Sequence, residues 1–108
     1  MSTGALEDSH SSYPSAVYSE LIYLESGITY TLSGTSLGGI RWRTYDTSGA
    51  YLGNVSGATN TPTQNQYARI LLYEGCTAAN RNAAIITSSQ GTSVSIAKGS
   101  TGDRKFVA

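Results

Sequence analysis

The sequence predicts an all-β fold: an antiparallel β-sandwich of jelly-roll type, with about eight or nine short strands in a single domain over residues 1–108. Three observations point there. Short runs rich in Tyr, Val, Ile and Thr alternate polar with apolar residues, as half-buried strands require. Turn chemistry interrupts them at short intervals, at Ser26-Gly27, Asp46-Thr47-Ser48-Gly49 and Ser88-Ser89-Gln90-Gly91. No stretch sustains a helical period.

Taken in order, residues 2–8 read as a short first strand, and residues 9–15 as a polar loop broken by Pro14. Residues 17–25 follow, mostly apolar, with Val17, Leu21 and Tyr23 on one face and Tyr18, Ile22 and Leu24 on the other. A helix fits those nine residues as well, but the Ser26-Gly27 turn and the strand after it favour a hairpin. Residues 28–33 alternate cleanly, with Ile28, Tyr30 and Leu32 inward. Residues 38–52 read as a hairpin: one strand through Tyr45, a turn built on Asp46 and Gly49, and a second strand from Ala50. Residues 53–65 read as an exposed loop with one short strand around Val55. Residues 66–73 are apolar on both faces toward their end, as a central strand would be. A polar connection over residues 74–82 leads to two strands at 83–87 and 92–97, and residues 105–107 suit an edge strand. The two termini would then lie side by side, as in a module set into a larger protein.

Composition narrows the function. Charged residues make up 13% of the chain, seven of each sign, for zero formal net charge. Capture of nucleic acid or an anionic membrane needs clustered Lys and Arg in excess, so neither partner is expected. No apolar run approaches the ~20 residues that a helical membrane span needs. The first residues lack a basic region and an apolar core, so no secretory signal is expected and the Asn54-Val55-Ser56 acceptor is expected to go unused. Cys76, the only cysteine, cannot form an intrachain disulfide and reads as a small buried hydrophobe.

Catalytic patterns are missing. His10, the only histidine, sits in a Ser-rich loop with no nucleophile motif to serve. The acids Glu7, Asp8, Glu20, Glu25, Asp46, Glu74 and Asp103 are scattered rather than paired, and Asp46 is explained by its turn. Glu7 and Asp8 alone do not make a calcium site. The expectation is a non-enzyme with no cofactor and no metal.

What remains is a display of aromatic and guanidinium groups: Arg41, Trp42, Arg43, Tyr45, Tyr51, Tyr67, Arg69 and Tyr73. Aromatic rings stack on the C–H face of a pyranose while fixed polar groups bond its hydroxyls. Strand alternation divides the set. Ile40, Trp42 and Thr44 share one face, and Arg41, Arg43 and Tyr45 the other. Unpaired charge is costly to bury, so the arginine face is the one expected to meet a ligand. Trp42 fits either role, as packing or as a ligand platform.

The order of these segments is similar to carbohydrate-binding-module-like jelly-roll domains of bacteriophage tail and baseplate proteins. The resemblance rests on Tyr18-Ser19-Glu20-Leu21-Ile22-Tyr23-Leu24, then Gly27-Ile28-Thr29-Tyr30-Thr31-Leu32, then Ile40-Arg41-Trp42-Arg43-Thr44-Tyr45-Asp46 before its Gly turn, and Tyr67-Ala68-Arg69. It covers residues 17–73. It implies adhesion to host cell-wall or capsular polysaccharide in a virion, beside other tail proteins, after synthesis in the host cytoplasm. The candidate contacts are Arg41, Arg43, Tyr45, Trp42, Tyr51, Arg69 and Tyr67. The competing reading is a structural or decorating sandwich module of a virion with no sugar site.

Overall fold

The two strands with the strongest β pattern form the centre of the molecule. β4 (Ile40–Asp46) and β7 (Gln66–Leu72) pair antiparallel along their whole length, from Ile40↔Leu72 to Asp46↔Gln66. The computed structural model describes residues 17–73, 76–96 and 104–105. Around the central pair it places β1 (Val17–Tyr18), β2 (Ile22–Leu24) and β10 (Arg104–Lys105) on one side and β5 (Tyr51–Ser56) on the other. The second sheet has the order β6 (Thr59–Asn60), β3 (Tyr30–Ser33), β8 (Ile85–Ser88), β9 (Ser93–Ser95). Every pairing is antiparallel except β10 with β2, a parallel contact at the edge. The fold is an all-β sandwich.

The core lies between the sheets. Ile22, Leu24, Trp42, Ala68, Ile70 and Leu72 from the first sheet meet Tyr30, Leu32 and Ile86 from the second, with Ile96 and Ala84 beside them. Full burial of such side chains contributes about 1.5–3 kcal/mol each relative to exposure. Trp42 also closes a crossing point. Its indole Nε1 donates to the Gly57 carbonyl at 2.8 Å, and Gly57 N donates to Ile40 O at 2.9 Å. Gly57 has φ +104, a left-handed conformation that glycine adopts without strain, and there the chain leaves the first sheet for the second.

The hairpin over residues 38–52 forms as expected. Asp46 N donates to Ala50 O, Gly49 N donates to Asp46 O, and Gly49 sits at φ +93. Asp46 Oδ1 accepts from Ser48 N and Ala50 N, both at 2.9 Å, so this carboxylate is committed to the turn. Residues 28–33 also follow expectation, with Tyr30 and Leu32 buried and Thr31 and Ser33 exposed.

Three expectations need correction. Residues 17–25 do not alternate as one strand. The register runs Tyr18↔Leu71 and then Ile22↔Ala68, so residues 19–21 hold one extra residue, a bulge. Such a slip reverses the faces. Val17, Ile22 and Leu24 all pack against the core, and Tyr18 lies over the opposite surface with Tyr23. Ser19 makes the bulge possible by replacing ladder groups: its buried Oγ accepts from Ile70 N and donates to Glu20 O, both at 2.8 Å. Second, residues 53–65 are less of a loop than expected, since β5 runs through Ser56 and β6 follows. Third, the polar connection contains a helix, α1 (Ala78–Ala83), with Thr77 as N-cap accepting from Asn80 N at 3.1 Å. Six residues give too few turns for a periodic signal. Of the edge strand expected at residues 105–107, Lys105 lies in β10, and the other two residues lie outside the described residues. The expected strand at residues 2–8, His10 and the pairing of the termini lie outside the described residues.

Candidate functional site

Alternation on β4 and β7 assigns each side chain to a surface. With Trp42, Thr44, Ala68, Ile70 and Leu72 turned toward the second sheet, Arg41, Arg43, Tyr45, Tyr67, Arg69 and Leu71 must share the opposite, outer surface. Register then arranges that surface in rows. Tyr23↔Tyr67, Tyr67↔Tyr45 and Tyr45↔Tyr51 place four tyrosines side by side across β2, β7, β4 and β5. The next row is Arg69↔Arg43↔Asn54, and the one after it Tyr18↔Leu71↔Arg41↔Ser56. Neighbours within a row are ~4.8 Å apart by strand spacing, and successive rows are ~6.7 Å apart, two residues along a strand.

The rows are tied together by ring contacts. Tyr23 meets Tyr67 edge to face at 5.4 Å, and Tyr45 meets Tyr51 likewise at 5.9 Å. Each arginine lies over a tyrosine: Arg41 over Tyr73 at 4.9 Å, Arg43 over Tyr51 at 5.3 Å, and Arg69 over Tyr18 at 4.6 Å. Such contacts contribute about 0.5–2 kcal/mol and hold a long side chain in one orientation. Gly39 makes the Tyr73 stack possible. A Cβ there would stand 2.7 Å from Tyr73 Cζ, so only glycine lets the ring lie down on β4.

Depth varies across the surface. Tyr45 and Arg69 are each 2% exposed and form its floor. Arg41, Arg43, Tyr23, Tyr67 and Tyr73 are half-buried, while Tyr51, Asn54 and Ser56 are exposed. Arg69 Nε donates to Ser19 O at 2.8 Å, so the bulge fixes the floor in place. Burial pushes the Tyr45 phenol above its ordinary pKa, against the opposing pull of Arg43 and Arg69. Arg43 also approaches the Tyr45 phenol, and Arg41 Nε is buried without a hydrogen-bond partner.

Of the contacts expected from sequence, Arg41, Arg43, Tyr45, Tyr51, Tyr67 and Arg69 come together on this surface. Trp42 does not. It is 0% exposed, faces the second sheet, and its indole N–H is satisfied by Gly57, so it is removed from the set. Tyr23 and Tyr18 belong to the surface but were hidden by the bulge. Asn54 was hidden by the loop reading of residues 53–65, although its place beside Arg43 gives a hydrogen-bonding amide at the exposed edge.

Other chemistry is sparse. Cys76 is buried, its Sγ donates to Thr77 O at 3.3 Å, and burial pushes its thiol upward against the pull of Arg81. Arg81 is itself structural, since its Nη1 donates to Tyr18 O at 3.1 Å and ties α1 to β1. Among the described residues no three His, Cys, Asp or Glu side chains approach closely enough to hold a metal ion, and no helix is long and apolar enough to cross a membrane.

No family model, curated protein or solved structure matches this chain.

Proposed function

We propose that the domain is a non-catalytic saccharide-binding module and that the outer surface of β2, β7, β4 and β5 is its contact face. The observation that supports this is the gathering of Tyr23, Tyr45, Tyr51, Tyr67, Arg41, Arg43 and Arg69 onto one outward sheet surface, opposite the side that packs the core. A sheet with one surface packed needs only polar side chains on the other. Rigid tyrosines beside guanidinium and amide donors supply stacking area and directional bonds at little entropic cost. In the wider reading the sandwich is of jelly-roll type and belongs to a phage tail or baseplate, where it carries the virion onto host cell-wall or capsular polysaccharide. That part draws on the resemblance of residues 17–73 alone.

A structural module is the alternative, favoured by the near-complete burial of Tyr45 and Arg69, which resembles packing. Labelled domain should decorate host cells or immobilised cell-wall polysaccharide, and Tyr51→Ala with Arg43→Ala should abolish the signal while the fold survives. Wild-type domain that decorates nothing, or a doubly substituted domain that binds unchanged, favours the structural module.

A further inference from the structure

We propose that β5 is a docking edge whose occupant is a second copy of this chain: two β5 strands pair antiparallel about a two-fold axis at Val55, joining the first sheets of two molecules into one.

Edge length is the first support. β5 closes one end of the first sheet and runs six residues, whereas the other terminal strands are short: two residues in β10 and in β6, three in β9. Short edges, charges and prolines are the means by which sheets avoid pairing with another chain. β5, Tyr51-Leu52-Gly53-Asn54-Val55-Ser56, contains no charged residue and no proline. Its one irregularity, the extra residue at Leu52, lies toward the hairpin turn, and from Gly53 to Ser56 the register with β4 is regular. Tyr51, Leu52, Asn54 and Ser56 are exposed, and among the described residues no strand lies on the far side of β5.

Backbone direction is the second. Gly57 N donates to Ile40 O at 2.9 Å. Antiparallel ladders alternate, so Gly53 and Val55 also bond toward β4, while Asn54 and Ser56 turn their N–H and C=O groups away from it. An axis at Val55 sets Asn54 opposite the partner's Ser56, and these are the pairs that exchange backbone hydrogen bonds.

Side chains select the occupant. In that register an amide meets a hydroxyl on the outer surface, and Val55, packed at the margin of the core, meets the partner's Val55 on the inner one. A charged strand would repel its own copy and favour a partner of opposite sign. A neutral strand whose polar and apolar positions match their own reversal fits itself. The row of Arg69, Arg43 and Asn54 then continues across the axis into the partner's Ser56 and Arg41, so the two outer surfaces form one. On the saccharide reading, a polymer meets two contact faces at once.

Sedimentation velocity of the whole domain, from about 5 µM to about 1 mM, tests this, because a single strand pair makes a small interface with a dissociation constant on the order of 10–100 µM. Expected is a reversible monomer–dimer equilibrium. Asn54→Pro removes an outward N–H and spares the ladder to β4, and Ser56→Lys places a charge on the edge; each should weaken the dimer about tenfold or more. Ser93→Lys, on the β9 edge of the other sheet, should leave it unchanged. Thermal unfolding at low concentration checks that each variant folds, and if Asn54→Pro does not, Ser56→Lys decides. Val55→Cys should form a disulfide-linked dimer under mild oxidation, since opposed Cβ atoms of a strand pair lie about 4.5–5.5 Å apart, near disulfide range. Cys76 is buried and does not compete. A wild-type chain that stays monomeric to about 1 mM overturns the proposal. So does a dimer that Ser56→Lys leaves intact or Ser93→Lys abolishes, and association that grows past the dimer. A dimer sensitive to Ser56→Lys in which Val55→Cys fails to cross-link overturns the axis at Val55.

Discussion

Replacing Trp42 with alanine separates core from contact surface more cleanly than any other single change. The indole is fully buried between the sheets and its N–H satisfies a carbonyl where the chain changes sheet. Truncating such a side chain costs about 3–5 kcal/mol, from lost transfer energy and the cavity left behind. The orphaned Gly57 carbonyl pushes the value toward the upper end. A domain of this size has a total stability of about 5–15 kcal/mol, so a large fraction is at stake. The corresponding fall in Tm is about 15–30 °C. Trp42→Phe keeps a ring in the site and loses the hydrogen bond, for a cost of about 1–2 kcal/mol. Urea and thermal unfolding followed by far-UV circular dichroism measure both variants without relying on the lost fluorophore. In the wild type, tryptophan emission should be blue-shifted, protected from acrylamide and indifferent to added saccharide. A Trp42→Ala variant that loses less than about 1 kcal/mol while losing saccharide binding would put the indole at the ligand and refute the packing argument.

Three further outcomes follow from single contacts. Ser19→Ala leaves Ile70 N buried without its acceptor and should cost about 1–3 kcal/mol by urea denaturation; a change under about 0.5 kcal/mol means that the bulge does not depend on the hydroxyl. Gly39→Ala should lift Tyr73 off Arg41 at a cost of about 1–2 kcal/mol, and that cost should vanish when measured in a Tyr73→Ala background. Equal costs in the two backgrounds would instead locate the strain in the β4 backbone. At alkaline pH, Tyr30 and Tyr45 have folded pKa values raised mainly by burial, above an unfolded value of about 10, and the buried Cys76 thiol is raised in the same sense. Within those windows the unfolded chain has lost protons that the fold retains. The stabilisation is therefore complete below about pH 8 and declines as pH rises through the raised values. Unfolding midpoints that stay constant to about pH 11 contradict this.

The hairpin was legible because its determinants are local. Asp46 and Gly49 are turn residues by chemistry, and alternation alone puts Arg41, Arg43 and Tyr45 opposite Trp42. Tyr67 and Arg69 could be placed because β7 is continuous. The rest depends on tertiary context. Nothing in residues 17–25 announces an extra residue, because Ser19 plays its part only when Ile70 N is beside it. A single inserted residue then exchanges Tyr18 with Val17 and hides the stack under which Arg69 lies. Helix α1 is set by one local threonine cap and by the long-range reach of Arg81 to Tyr18 O, neither of which leaves a period in the sequence. The role of Trp42 was undecidable from alternation, since either face of a strand can be the buried one. Only the presence of the second sheet settles it.

The outer surface is too well packed to be ordinary solvent-facing sheet and too cationic to be core. That tension gives the most discriminating experiment. If Arg41 serves the fold, its guanidinium contributes through the Tyr73 stack at 4.9 Å, a contact that a thioether can largely reproduce. Arg41 also has a buried Nε without a partner, so the native residue carries an uncompensated desolvation cost. Replacing buried charge by an apolar side chain of similar reach is often neutral or stabilising. Arg41→Met should therefore leave stability within about 1 kcal/mol of the wild type, or raise it, while weakening saccharide binding about tenfold. A residue that can be exchanged at no cost to folding, yet is kept half-buried and cationic, has its reason in a ligand. A loss of about 3 kcal/mol or more in Arg41→Met would assign the guanidinium to the architecture, and the surface would then be a second packing face rather than a binding one.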